Sequence, residues 1–240
     1  MYYHYTNIEA LFNIIKCKSV WFGSLAFMND EMEGFDLYSV LSEVLELKHG
    51  SEQCKNTLEW INDLIQVYLR HQMCFSASTL KDDISQWRAY TKLGQGVCIE
   101  FTDGFVVDPK AQKVQCLYDF DDKKTAIVAD QHLKSNDETM MRTIQTQEGL
   151  RSYIKSIIQT LVRFKNASFK PEQEVRWVYN FNGLTDADAQ FEFRPHRLGL
   201  TSYHKSLVDI SKITSITIGP QVPTQNLKSI EDFLILKRCP

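Results

Sequence analysis

The chain has 240 residues, enough for one large domain or two small ones. Its 43% hydrophobic and 24% charged residues are ordinary globular composition, and sparse Gly and Pro exclude collagen-like and low-complexity readings. A formal net charge of −3 argues against a protein that grips nucleic acid by bulk charge, although a local basic patch is hidden in such a total.

Six cysteines, Cys17, Cys54, Cys74, Cys98, Cys116 and Cys239, form no C-x-x-C pair and lie at no zinc-like spacing to the six histidines. Most fall in apolar runs and are expected as buried free thiols of a reducing cytosol. No basic stretch followed by an apolar run opens the chain, and no run reaches the roughly 18 apolar residues of a membrane span. The expectation is a cytoplasmic protein with no membrane partner and no metal site. No repeat and no Gly/Ser/Pro linker divides the sequence, so residues 1–240 are expected as a single domain.

YYHYT reads as a short aromatic strand. Thr6 then caps the helix NIEALFNIIK, with Glu9 completing a capping box and Ile8, Leu11, Phe12 and Ile15 forming the buried stripe. SVWFG is a second strand. Helical insertions are expected over about 35–70 and 120–168, the first through GFDLYSVLSEVLEL and TLEWINDLIQVYL. The second shows its clearest 3.6-residue period through Leu150, Tyr153, Ile154, Ile157, Ile158, Leu161 and Val162. Between the insertions, QMCFSAS, GVCIEF and KVQCLYD are strands and SQWRAYTK a short helix. After Pro171 come the strands EVRWVYN, QFEFRP and ITSITIGP, a helix TQNLKSIEDFL capped at Thr224, and a closing strand LILK. The fold class is α+β, with a mixed or antiparallel sheet and helical insertions.

Five stretches carry candidate chemistry, each beside a structural alternative. On the first strand His4 and Thr6 share one face, next to the amide donors of a helix start, which suits ribose hydroxyls or a phosphate. Alternatively His4 is a satisfied structural histidine and Thr6 only a cap. In FKPEQEVRWVYN, Glu172 and Glu174 form E-x-E where a strand begins, and Glu174 and Arg176 share a face. Such a carboxylate can hold a sugar hydroxyl and stabilise an oxocarbenium-like centre, or can form a surface ion pair of little worth. Ser76 and Ser78 share a strand face with Cys74, while Trp87, Arg88 and Tyr90 precede a Gly94/Gly96 turn. Trp87 or Tyr90 could stack on a planar ring or simply anchor the core. Asn29, Asp30 and Glu33 stand either in a turn or at the mouth of a site. Arg194, His196 and Arg197 form either a phosphate-facing patch or a solvated run.

The order H-Y-T, N-D-x-x-E, C-F-S, W-R-x-Y with G-x-G-V-C-I-E-F, F-K-x-E-x-E-x-R-W and I-x-I-G-P resembles a widespread bacterial family catalogued as a domain of unknown function. That family is similar to the mono-ADP-ribosyltransferase fold, whose members carry an H-x-T first strand and a late strand that begins with the catalytic glutamate. The resemblance implies an ADP-ribosyltransferase-like split, mostly antiparallel sheet with an NAD cleft between its halves. It implies that Glu174 is catalytic and that Glu172 orients the acceptor. It implies NAD contacts from His4, Thr6, Ser76, Trp87, Tyr90, Arg176 and Asn29. The function implied is an NAD-dependent mono-ADP-ribosyltransferase, a bacterial toxin or antiphage effector. NAD would be its co-substrate, a protein or nucleic acid its acceptor, and an antitoxin or defence-complex protein its partner. NAD glycohydrolase activity or a non-catalytic nucleotide-binding module of the same fold are the alternatives. A metal-dependent nuclease built on Glu172, Glu174 and Asp119 ranks lower, because Arg176 stands where such sites place a lysine.

Overall fold

The computed structural model describes residues 1–27, 39–40, 42–44, 63, 65, 67–129, 146, 148–149, 158–181, 190–196, 199–237 and 239. The elements are β1 (Tyr2–Thr6), α1 (Ile8–Cys17), β2 (Ser19–Ser24), β3 (Gln72–Ser78), α2 (Ile84–Tyr90), β4 (Val97–Phe101), β5 (Gln112–Gln115), α3 (Phe120–Ala129), β6 (Glu174–Asn180), β7 (Phe191–His196), β8 (Gly199–Leu207), β9 (Ile213–Ile218) and α4 (Thr224–Leu236).

Among the described residues nine strands form one sheet whose ladders are all antiparallel, with helical segments set into it: an α+β fold. β3 is its hub. β6 pairs along one edge of β3, from Gln72↔Asn180 to Ser78↔Glu174. The other edge is shared. β2 takes its start, at Gly23↔Cys74 and Ser24↔Met73, and β1 takes its end, at Tyr3↔Ser78. Between them Phe75, Ser76 and Ala77 have no ladder partner on that edge among the described residues. From this gap two arms diverge: β1 leads to β4 and β9, and β2 leads to β8 and β7.

The period-2 pattern of EVRWVYN sorts its residues between faces. Val175, Trp177 and Tyr179 are buried with Met73, Phe75, Phe22, Phe101 and Phe105 in one core, which Leu11 and Ile15 of α1 and Ile230 and Leu234 of α4 help to close. Val178 and Cys74 lie on the other face, beneath Leu25, Val40, Val44, Ile65, Ile127, Ile158 and Phe164. Each large apolar side chain so buried contributes roughly 1.5–3 kcal/mol.

Several expectations need correction. α1 is capped by Asn7, whose Oδ1 accepts the Ala10 N–H at 2.8 Å. Thr6 is instead the last rung of the β1–β4 ladder, opposite Val97, and its backbone belongs to the strand. No side chain caps α4, which starts after Pro223 and runs on through Leu236, so LIL is helix rather than strand. β8 is a nine-residue strand with no sequence counterpart in the reading above. Cys74, Cys98 and Cys116 are buried free thiols, but Cys17 is exposed and Cys239 intermediate. Cys54 and most of the helix-like stretches within 35–70 and 120–168 lie outside the described residues. No helix among those described is long and apolar enough to cross a membrane.

Candidate functional site

The gap on the β3 edge opens into a cleft of about 350 Å³. Its walls come from β1 (Tyr3 to Thr6), from Trp21, Gly23 and Ser24 of β2, and from Arg194 and Thr201 of the β7–β8 hairpin. Its floor holds Ser76, Glu172, Glu174 and Lys165, with Tyr90, Gln86 and Phe169 beside them.

Glu174 is the electrostatic centre. Its side chain is only 5% exposed. Oε1 accepts from Ser76 Oγ at 2.5 Å and from Arg176 Nε at 2.8 Å. Oε2 accepts from Lys165 Nζ at 2.5 Å and from Arg176 Nη2 at 3.4 Å. Burial pushes the carboxyl upward, but the Arg176 and Lys165 charges outweigh it and hold Glu174 down to about 2. Lys165 also donates to Glu172 Oε2 at 2.5 Å, while the Tyr90 hydroxyl donates to Glu172 Oε1 at 2.8 Å. Lys165 is itself buried, which disfavours its charge, yet Glu174, Tyr90 and Glu172 overcome this and hold it protonated well above the usual lysine range. Two cations thus neutralise two carboxylates in a chain running Tyr90–Glu172–Lys165–Glu174–Arg176.

His4 stands at the gap itself. Its Nδ1 lies 2.9 Å from the Ser76 carbonyl oxygen, on a β3 residue that lacks a strand partner there, and its ring packs on Phe75 at 4.6 Å. A carbonyl only accepts, so Nδ1 carries the proton. Burial draws the ring down to about 4 against the smaller effect of that carbonyl, so the imidazole is neutral at pH 7. Nε2 then keeps a lone pair, with no hydrogen-bond partner among the described residues. Ser24 Oγ, buried on the cleft wall, likewise has none.

Of the residues singled out by sequence, the structure brings His4, Thr6, Cys74, Ser76, Ser78, Tyr90, Glu172, Glu174 and Arg194 to one cleft. Arg176 belongs with them only indirectly. It is 1% exposed, lies beneath Glu174, and sends Nη1 to the Val162 carbonyl at 2.9 Å. Trp87 is not at the cleft. It packs edge-on to Tyr5 among Tyr3 and Cys98, its Nε1 donating to Asp82 at 2.9 Å. Tyr90, three residues on along α2, is the aromatic that faces the glutamates. Asn29, Asp30, Glu33 and Arg197 lie outside the described residues. Gly94, with φ +89°, sits in the turn, and a Cβ at Gly96 would stand 2.1 Å from the Thr6 carbonyl, so this glycine lets the turn approach β1.

Lys165 was missed by sequence reasoning, although FKNASFKPEQE places it seven and nine residues before the two carboxylates it bridges. It does not supply the lysine of the nuclease reading, which would follow E-x-E where Arg176 stands, and its ammonium lies between the carboxylates where a divalent ion would have to bind. Asp119, the third ligand of that reading, pairs with Lys170 at 2.6 Å. Among the described residues no group of three or more His, Cys, Asp or Glu side chains converges as a metal site.

The family described as "Protein of unknown function (DUF2971)" matches residues 86–177, the span that carries Tyr90, Lys165, Glu172, Glu174 and Arg176. No curated protein and no solved structure matches the chain.

Proposed function

We propose that the chain is an NAD-dependent mono-ADP-ribosyltransferase-like protein acting on a protein or nucleic-acid acceptor. The observation that carries the reading is the ionised Glu174 on the floor of a cleft at the sheet's split, hydrogen-bonded to Ser76 and facing His4 of the first strand. That is the arrangement implied by the H-x-T and E-x-E resemblance. The partnerless Ser24 Oγ and the open lone pair of His4 Nε2 fit a polyhydroxylated ligand such as ribose.

In the proposed reaction the bond between the ribose C1′ and the nicotinamide nitrogen breaks, and the electron pair leaves with nicotinamide. Glu174 stabilises the cation-like ribose by its charge and by accepting a ribose hydroxyl. An acceptor lone pair then forms the new bond to C1′, and the acceptor's proton passes to Glu172, which is the more open carboxylate at 14% side-chain exposure. The resemblance adds a setting to this proposal, a toxin or antiphage effector held by a restraining partner.

One observation favours a second reading, a non-catalytic nucleotide-binding module. Both oxygens of Glu174 already accept from Ser76, Lys165 and Arg176, and a ligand hydroxyl must share them. Purified protein with adenine-labelled NAD and cell lysate, without added metal, separates the two. Transfer of label to a macromolecule, lost in Glu172→Gln and Glu174→Gln variants that retain a cooperative melt, supports the transferase. Intact NAD with retained binding supports the module.

A further inference from the structure

Trp21 and Arg194 line the cleft but take no part in the chemistry assigned to the glutamates. Trp21 is 42% exposed, which leaves aromatic surface open on the cleft wall. It stacks on Tyr203 of β8 at 4.4 Å and 28°, and Arg194 of β7 lays its guanidinium 5.4 Å from the Trp21 ring centre. Glu192, two residues from Arg194, accepts the Tyr203 hydroxyl at 2.6 Å. Among the described residues no carboxylate pairs with Arg194. Gly23, opposite Tyr203 in the ladder, leaves open space beside the stack, for a Cβ there would meet nothing within 4 Å.

The pair also stands between two cavities. A second, of about 330 Å³, is bounded by Asn7, Asn13, Ser19 and Phe75, and it shares His4, Thr6, Trp21 and Arg194 with the cleft. A ligand with one half beside Glu174 and the other in the second cavity must pass this pair.

We propose that Trp21 and Arg194 form a nucleoside-phosphate seat, with a nucleobase on the indole and a phosphate on the guanidinium. A planar guanidinium without a carboxylate partner presents paired N–H donors that match phosphate oxygens. Its exposed contact with the indole is weak and readily exchanged for a phosphate, which frees the ring for a base. The seat deepens the transferase reading and rests on it for the neighbouring chemistry at Glu174. Its occupant is either the adenylate half of NAD or a nucleotide of a single-stranded acceptor, since both present a base and a phosphate.

Titration calorimetry with adenosine, AMP, ADP-ribose and a deoxyadenosine decamer tests this on the full chain. Arg194→Gln is expected to weaken the phosphate-bearing ligands about tenfold or more while adenosine is unchanged. Trp21→Leu is expected to weaken every adenine ligand about tenfold. Losses seen with ADP-ribose assign the seat to NAD, and losses seen only with the decamer assign it to the acceptor strand. The proposal is overturned if wild-type protein binds none of these ligands, or if neither substitution changes an affinity. It also falls if Arg194→Gln weakens adenosine as much as AMP. Failure of the transferase reading is seen separately, as intact NAD in a nicotinamide-release assay while AMP binding still depends on Arg194. Arg194 is exposed, so Arg194→Gln is expected to melt with wild type; Trp21→Leu also gives up the stack on Tyr203, so its affinities are compared at a temperature where its melt shows it fully folded.

Discussion

Lys165→Met removes one of two cations from a nearly dry cluster and leaves Glu172, Glu174 and Arg176 with one uncompensated negative charge. The side chains of Lys165 and Glu174 are 6% and 5% exposed, so water can do little to replace the lost partner. Breaking such a buried pair costs about 3–5 kcal/mol. Two features hold the value at the lower end. Arg176 and Ser76 still serve Glu174, and Glu172 keeps its Tyr90 hydrogen bond. The pull on Glu174 from 4.5 to about 2 corresponds to about 3 kcal/mol of preference for its ionised form, shared between Arg176 and Lys165. The expected loss at pH 7 is about 3 kcal/mol, or about 6–12 °C in Tm for a chain of this size. Because the folded-state pKa of Glu174 is depressed, its contribution is present above its unfolded value of 4.5 and lost as pH falls toward about 2. With Lys165 gone the depression shrinks, so the gap between wild type and variant should narrow as pH drops from 7 to 3. Urea unfolding at several pH values measures this, with Lys170→Met as control. The Lys170–Asp119 pair is 59% and 51% exposed and screened by water, so its loss should leave the unfolding midpoint close to that of wild type. A Lys165→Met loss no larger than the control, or one that is constant with pH, would refute the reasoning.

Other outcomes follow from the same geometry. The His4 imidazole should remain neutral from pH 8 to pH 5 and titrate near 4, as followed by its NMR ring-proton shifts. A midpoint near 6.5 would mean the ring is not buried, because burial is what lowers it and the Ser76 carbonyl pushes the other way. Gly96→Ala should destabilise by about 2 kcal/mol or more, because its Cβ would meet the Thr6 carbonyl at 2.1 Å and the backbone must move; an unchanged melt would show that the turn does not press on β1. Asn7→Ala should cost about 1 kcal/mol by removing the α1 cap. If Thr6→Ala instead produced the capping loss, the assignment of Asn7 would be wrong.

Much of the sheet was legible because its strands have unambiguous period-2 patterns. QMCFSAS and EVRWVYN coincide with β3 and β6 as read, and the alternation of EVRWVYN correctly put Glu174 and Arg176 on one face. The same alternation could not say how deep each would lie. Arg176, read as a cleft residue, is covered because its guanidinium reaches back to Glu174 and to the Val162 carbonyl. Trp87 and Tyr90 are three residues apart on α2, and only the packing of Tyr5 and Cys98 decides which faces the core. Thr6 and Asn7 are both good caps by composition, and the β1–β4 ladder selects Asn7 by holding Thr6 extended. Lys165 carried no signal because a single lysine in a polar stretch reads as solvated. Its role depends on a chain reversal through the short 3-10 turn Ala167–Glu172. β8 was hidden because GLTSYHKSL has no apolar alternation, its two leucines being exposed; its buried Thr201, Ser202, His204 and Ser206 gain their places from pairing with β2 and β7.

The measurement that bears most directly on the central claim is nicotinamide release from NAD by the purified protein, with lysate supplying acceptors and chelator excluding adventitious metal. Wild type is expected to release nicotinamide. Glu174→Gln, checked for a cooperative melt, should retain no more than about 1% of that rate, the scale of losing a group that stabilises charge in the transition state. NAD left intact by wild type, or released equally by a folded Glu174→Gln variant, would contradict the account.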